Sequence, residues 1–140
     1  MTTSGRQFTL PLAELADRLT VDQIKEVLVP EHRESFSLEM EKISHDIDLI
    51  IAEKDLRLSS RLIRIIIALA QLNLHIWHNK DLMQKDAGRY MELLKLSHQL
   101  NGIRNQLKNL LLEETGEREK SAERSNFNTD GLENWTVSIR

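Results

Sequence analysis

Apolar residues recur at helical spacing along most of the chain, and the most regular repeat lies between Gly88 and Glu114. This spacing places the apolar residues on one face of an α-helix. A glycine, in Thr115-Gly116, follows the repeat, and such a glycine is typical of a helix end. We therefore predict a helix from about Gly88 to Glu114. The repeat has intervals of 3, 4, 3, 4 and 3 residues and consists of Leu93, Leu96, Leu100, Ile103, Leu107 and Leu110.

A second long repeat predicts a helix from about Ser59 to Lys80. The polar link from Asn79 to Ala87 is short enough to return the chain in the opposite direction, so the two helices should form a long antiparallel pair. Additional apolar residues widen the apolar face of this helix, which should make it the central and most buried one. The repeat and the additional residues are Leu58, Leu62, Ile65, Leu69, Leu72 and Ile76, with Ile63, Ile66, Ile67 and Ala70.

A shorter repeat before the pair predicts an amphipathic helix. Its phase slips between Ile50 and Leu58, where Ser59 or Ser60 could cap a new helix. The pattern leaves open whether residues 37–80 form one kinked helix or two. The repeat consists of Phe36, Met40, Ile43, Ile47 and Ile50.

The N-terminal region predicts a small helical hairpin. Pro11 suits the first turn of one short helix, and Thr20-Val-Asp-Gln23 has the capping-box pattern for a second helix that ends before Pro30. This arrangement resembles the start of a DNA-binding helix-turn-helix. Residues 1–30, however, carry three basic and four acidic side chains. A DNA-binding regulator is therefore only the lesser alternative, and nucleic acid is an unfavoured partner.

Composition favours a single helical domain. The chain has 140 residues and only 4% aromatic residues, and its core residues are mostly leucine and isoleucine. We predict an all-α helical bundle over residues 1–115, followed by a flexible polar tail over residues 116–140. The end of the tail, Trp135–Ile139, alternates large apolar with small polar residues. Such a segment could dock on a protein partner or on the bundle itself.

The sequence also limits the cellular setting. The chain has no cysteine, which excludes disulfides, thiolate metal sites and cysteine nucleophiles. Its N-terminus lacks the basic and apolar regions of a secretory signal. The longest apolar run, Ile65–Ala70, is far shorter than the roughly 18 to 20 residues of a membrane span. We expect a cytoplasmic protein without a membrane span.

The net charge of −3 hides an asymmetry, because residues 57–112 hold nine basic and three acidic residues. This basic helical pair carries two polar rows at helical spacing. The rows could bind a small anion, or they could form a hydrogen-bonded core network or a solvated face. The first row contains Arg57, Arg61, Arg64, Gln71, His75 and His78, and the second contains His98, Asn101, Asn105 and Lys108, with Arg104 alongside.

A metal is one candidate ligand of these rows. His75 and His78 lie three residues apart, and Asp81 follows one turn later, so two imidazoles and a carboxylate could bind a divalent metal. His98 could add a fourth ligand. The sequence does not require any cofactor. It contains no glycine-rich phosphate loop and no nucleophile elbow, so catalysis would rest on His and Asp, and enzymatic activity is left open.

Two segments carry a family resemblance. Leu69-Ala-Gln-Leu-Asn-Leu-His-Ile-Trp-His-Asn-Lys-Asp81, followed by Asn101-Gly-Ile-Arg-Asn105, resembles a bacterial family known as domain of unknown function 4254. The resemblance covers about residues 60–114, and Lys80 stands where the family usually has an acid. The family has no established activity and a loose association with cell-surface sugar genes. The matching positions are Asn73, Trp77, His78, Asp81, Asn101 and Arg104.

Two functional hypotheses follow. The leading one is a binding or assembly module that forms a homo-oligomer, since the helical pair offers more apolar surface than three helices can cover. The alternative is an enzyme or ligand-binding protein for a small anionic, phosphorylated sugar-type compound. Its side chains should then converge on one solvent-reachable pocket. The candidate residues are Asn73, His75, Trp77, His78, Asp81, His98, Asn101, Arg104, Arg61 and Arg64.

Overall fold

The computed structural model describes residues 5–117, and these residues form helices and no strand. The predicted all-α class is therefore confirmed. None of the helices in this range combines the length and apolar character needed to cross a membrane. The predicted docking segment Trp135–Ile139 lies outside the described residues. The helices are α1 (Leu12–Leu28), α2 (Arg33–Lys54), α3 (Ser60–Lys85) and α4 (Tyr90–Glu114), with short 3-10 turns at Pro30–His32 and Ala87–Arg89.

The N-terminal region forms one helix, so the predicted helical hairpin is wrong. Thr20, which was expected to cap a second helix, is buried in the middle of α1. Its hydroxyl donates to the carbonyl oxygen of Asp17 at 2.7 Å, a bond that a threonine within a helix can make. No glycine or proline between Leu12 and Leu28 interrupts the helix. The continuous α1 also lacks the turn that a helix-turn-helix requires.

The chain breaks between α2 and α3, so this region contains two helices. Asp55 ends α2 in the left-handed conformation, with a φ of 49°. Ser59 caps α3, because its Oγ accepts a hydrogen bond from the backbone N–H of Leu62 at 3.1 Å. At its other end, α3 continues past the predicted limit to Lys85, which pairs with Asp81 at 2.9 Å. The predicted polar link is thus largely helical.

Two polar contacts join the ends of α3 and α4. The side-chain amide of Asn79 donates to the carbonyl oxygen of Leu93 at 2.9 Å, close to the turn between the helices. Arg61 Nε donates to the carboxylate of Glu114 at 2.8 Å, near the start of α3 and the end of α4. These are the ends that an antiparallel arrangement brings together.

The most buried helix is α1, and the prediction that α3 is the most buried is wrong. Seven of the 17 residues of α1 are buried, compared with five of the 26 residues of α3. Within residues 5–117, α1 packs against the other three helices, whereas α2 packs on α1 but not on α3 or α4. Because α2 does not cover α3, an apolar groove remains between α1, α2 and α3.

Glu117 completes the N-terminus of α1, where Pro11 supplies no side-chain cap. Its carboxylate accepts hydrogen bonds from the backbone N–H groups of Leu12 at 2.6 Å and Ala13 at 3.3 Å. A carboxylate at this position satisfies free N–H groups and interacts favourably with the helix dipole. Glu117 therefore belongs to the packed bundle, although the sequence placed it in the tail.

Candidate functional site

Three helices meet at the carboxylate of Asp17, which is only 2% exposed. Asp17 Oδ1 accepts hydrogen bonds from Asn73 Nδ2 at 2.9 Å and from Arg104 Nε at 3.0 Å, and Asp17 Oδ2 accepts from Arg104 Nη2. The guanidinium thus holds both carboxylate oxygens. Asn73 Nδ2 also donates to Thr20 Oγ at 2.7 Å. We call Asp17, Thr20, Asn73 and Arg104 the polar cluster.

Acidic residues of α1 neutralise the basic residues of α4 beside this cluster. Lys108 Nζ lies 2.5 Å from a carboxylate oxygen of Glu14 and 3.9 Å from one of Asp17. Two cations, Arg104 and Lys108, therefore face two carboxylates. Because the charges balance, the cluster offers little positive potential to an anionic ligand.

Two of the ten predicted site residues, Asn73 and Arg104, belong to the polar cluster. Arg61 and Asp81 are 20 residues apart on α3, which places them about 30 Å apart along the helix axis. Trp77 and Asp81 line a small pocket with Lys80 and Gln84. The ten residues therefore do not surround one pocket.

The remaining predicted residues are spread over α3 and α4. Asn101 donates to the carbonyl oxygen of Ser97 in its own helix at 3.0 Å. His75, His78 and Arg64 lie on the exposed side of α3, and His98 is exposed on α4.

The predicted metal ligands form no recognisable metal centre in the described part of the chain. Across residues 5–117, no group of three or more His, Asp or Glu side chains is arranged to hold a metal ion. Asp81 instead pairs with Lys85. A divalent metal at His75, His78 and Asp81 thus stays a prediction from spacing.

Sequence reasoning missed Asp17, although its position carried a usable signal. Asp17 lies one helical turn after Ala13, on the face of α1 that the buried Ala16 also occupies. An acidic residue at a core position needs a hydrogen-bonding or charged partner, since an unpaired buried carboxylate is costly. Asp46 follows the same rule, because it lies three residues after the buried Ile43.

Asp46 is a second buried carboxylate and is 0% exposed. Its oxygens accept hydrogen bonds from the backbone N–H groups of Gln7 and Phe8, both at 2.7 Å, and Arg6 Nε lies at 3.4 Å. Burial acts to raise the pKa of Asp46, but these donors outweigh it and hold the pKa below 3.8. Asp46 thereby fastens the segment before α1 to α2.

Asp22 is a third buried carboxylate, and it is poorly compensated. It is 5% exposed, and its Oδ2 has no hydrogen-bond partner within residues 5–117. Burial, followed by the nearby carboxylate of Glu39 on α2, raises the pKa of Asp22 from 3.8 to about 6. The ionised form of Asp22 is therefore unfavourable between α1 and α2.

Asp22→Asn should stabilise the protein at neutral pH. The folded protein holds the proton of Asp22 more tightly than the unfolded chain, so this residue lowers stability as pH rises from 3.8 to about 6. We expect the substitution to raise the free energy of unfolding by about 1 to 2 kcal/mol at about pH 7 and by much less at about pH 4. Urea unfolding at both pH values measures the difference. The exposed Asp48→Asn serves as control, and an equal gain from Asp22→Asn at both pH values would contradict the assignment.

An apolar surface on α3 is the other candidate site. Ile63, Ile67, Ala70, Leu74 and Trp77 follow at intervals of 4, 3, 4 and 3 residues. This phase places them opposite the buried core residues of α3. Three of them are substantially exposed, Ile63 at 40%, Ile67 at 50% and Leu74 at 41%. We call these five residues the outer seam.

The groove between α1, α2 and α3 borders this seam. Its volume is about 320 Å³, and Ala70 belongs to both the groove and the seam. Its edge includes Ile51 of α2, 40% exposed, and Leu58 of the link before α3, 77% exposed. The groove contains none of the ten predicted site residues. The two adjoining surfaces form an apolar region suited to a protein segment rather than to a small anion.

The polar cluster is therefore a structural network, and the apolar region is the candidate interface.

The resemblance to the family of unknown function stays a prediction. A scan against protein-family models, a search of curated proteins and a search of solved structures each give no match to the chain.

Proposed function

We propose that the chain is a helical assembly module that forms a homo-oligomer through the outer seam of α3. The observation that carries the proposal is the spacing of 4, 3, 4 and 3 residues on a face with Ile63, Ile67 and Leu74 exposed. A helix presents this spacing to a partner helix in a coiled-coil contact. Two copies of one seam are self-complementary, so a twofold dimer is the simplest assembly.

The dimensions and surroundings of the seam support this proposal. The 15 residues from Ile63 to Trp77 span about 21 Å along the helix axis, enough for about four helical turns of contact. Gln71, His75 and His78 are exposed along one side. An apolar centre with a polar rim is typical of protein interfaces. The chain lacks cysteine, and we place the assembly in the reducing cytoplasm.

The alternative of a site for a small anion has less support. Arg104 and Arg61, two of the arginines on which it would depend, pair with Asp17 and Glu114. The predicted side chains also extend about 30 Å along α3, from Arg61 to Asp81, which is too far for one small-molecule site. We therefore do not propose this function.

Leu74→Asp should convert the oligomer to a monomer, because a charge within the seam would be buried without a partner. His75→Asp is the matched control, since it places the same charge one residue along α3 on the exposed polar side. Size-exclusion chromatography with light scattering measures the mass of each variant, and far-UV circular dichroism checks the helix content. A wild-type chain that is monomeric at high concentration, or a Leu74→Asp variant that remains oligomeric, would refute the proposal.

A further inference from the structure

The groove has the length and composition of a site for a short extended peptide. Along α1 it extends from Leu12 to Gln23, or about 16 Å at the helical rise. Nearly all of its other lining residues are apolar, and they include Leu19, Ile47 and Ile66. An extended segment of five residues spans about 13 Å from its first to its last Cα atom, so it fits this length.

The described chain ends beside the groove. Glu117 accepts a hydrogen bond from the backbone N–H of Leu12, and Leu12 lines the groove. The chain beyond Glu117 therefore begins at one end of the groove. The 17 residues 118–134 can reach up to about 56 Å when extended, so they span the groove several times over. Their length adds only a small entropic cost to an intramolecular contact.

The sequence beyond this point contains one segment that matches the groove. Trp135, Val137 and Ile139 alternate with Thr136 and Ser138. In an extended segment, alternate side chains point to the same side. One side of this segment would then be apolar, and the other would present two hydroxyl groups to water.

We propose that Trp135–Ile139 docks as an extended segment in the groove of its own chain. In the docked state the segment covers the apolar side chains that α2 leaves exposed between α1 and α3. Ile51 and Leu58 contact the edge of the segment. The inference does not depend on the self-association through the outer seam.

Fluorescence of Trp135 tests this docking. The chain has two tryptophans, so Trp77→Phe leaves Trp135 as the single emitter. Leu74→Asp is added to every variant, which removes the outer seam as a route to self-association. We expect a blue-shifted emission that acrylamide quenches weakly, as for an indole shielded from water.

Ile51→Glu should then shift the emission to the red and raise the quenching constant several-fold, because it places a charge at the edge of the groove. Leu38→Glu is the control: Leu38 is also on α2, is 55% exposed and does not line the groove. Leu58→Glu, in the link before α3, repeats the test at a position that tolerates substitution because its side chain is 77% exposed. Circular dichroism confirms that each variant is folded.

Three results would overturn the inference. The first is a solvent-exposed emission of Trp135 in the parent chain, and the second is an emission that neither Ile51→Glu nor Leu58→Glu changes. The third is a blue shift that disappears on dilution, which would assign the docked segment to a second copy. Each of these results is distinct from a failure of the proposed self-association, which the mass of the Leu74→Asp variant measures separately.

Discussion

Asp17→Ala should destabilise the bundle by about 3 to 5 kcal/mol, the largest effect that we expect from a single polar substitution. The Asp17 carboxylate accepts hydrogen bonds from Asn73 and from both donor nitrogens of Arg104 that face it. The side chains of Arg104 and Lys108 are only 27% and 16% exposed, so water cannot replace the lost carboxylate fully. The substitution leaves a partly buried guanidinium without its partner.

Urea unfolding followed by circular dichroism measures this loss. Asp17→Asn keeps the size of the side chain but removes its charge, so it should cost less than Asp17→Ala. The control is Glu14→Ala, at a side chain that is 35% exposed, and we expect it to cost at most about 1 kcal/mol. In a chain with Asp17→Leu and Arg104→Met together, most of the stability should return, because neither charge is then left unpaired. A loss below about 1 kcal/mol for Asp17→Ala would contradict the structural role of the cluster.

Asp46→Ala should cost about 2 to 4 kcal/mol, because it removes the acceptor of two backbone N–H groups and the partner of Arg6. The bonds to Gln7 and Phe8 hold the segment before α1 against α2. Phe8 also packs on the core cluster that contains Leu15. Residues 5–11 should therefore detach locally, and this detachment limits the loss because the freed N–H groups can bind water.

The pH dependence provides a second measurement for Asp46. Its pKa in the folded protein lies below 3.8, so its contribution to stability is present above that pH and is lost as the pH falls through the folded pKa. Asp46→Ala should remove this part of the acid sensitivity, and hydrogen exchange should show faster exchange at Gln7 and Phe8. Asp48→Ala, at an exposed position of the same helix, should change neither property. Unchanged exchange in Asp46→Ala would show that the segment is held by other contacts.

Much of the secondary structure could be predicted from the sequence, because helical periodicity is a local property. The repeat from Leu93 to Leu110 predicted α4 to within two residues at its start and at its observed end, Glu114. Ser59, one of the two serines that could cap a new helix, is the cap of α3, and the bond from Leu62 joins residues only three positions apart. The all-α class follows from the same repeats together with the low aromatic content.

The tertiary structure alone decided how these helices share their surfaces. Thr20 lies within a continuous helix because its hydroxyl bonds to the chain of α1 and to Asn73, 53 residues away. Asp17 meets Asn73 and Arg104 across separations of 56 and 87 residues, and periodicity within one helix carries no information about such partners. The sequence by itself determined which residues of α3 were apolar, but burial depends on the packing of other helices. Because α1 covers α3 and α2 does not, the chain keeps an exposed outer seam and an open groove where the repeats predicted a buried helix.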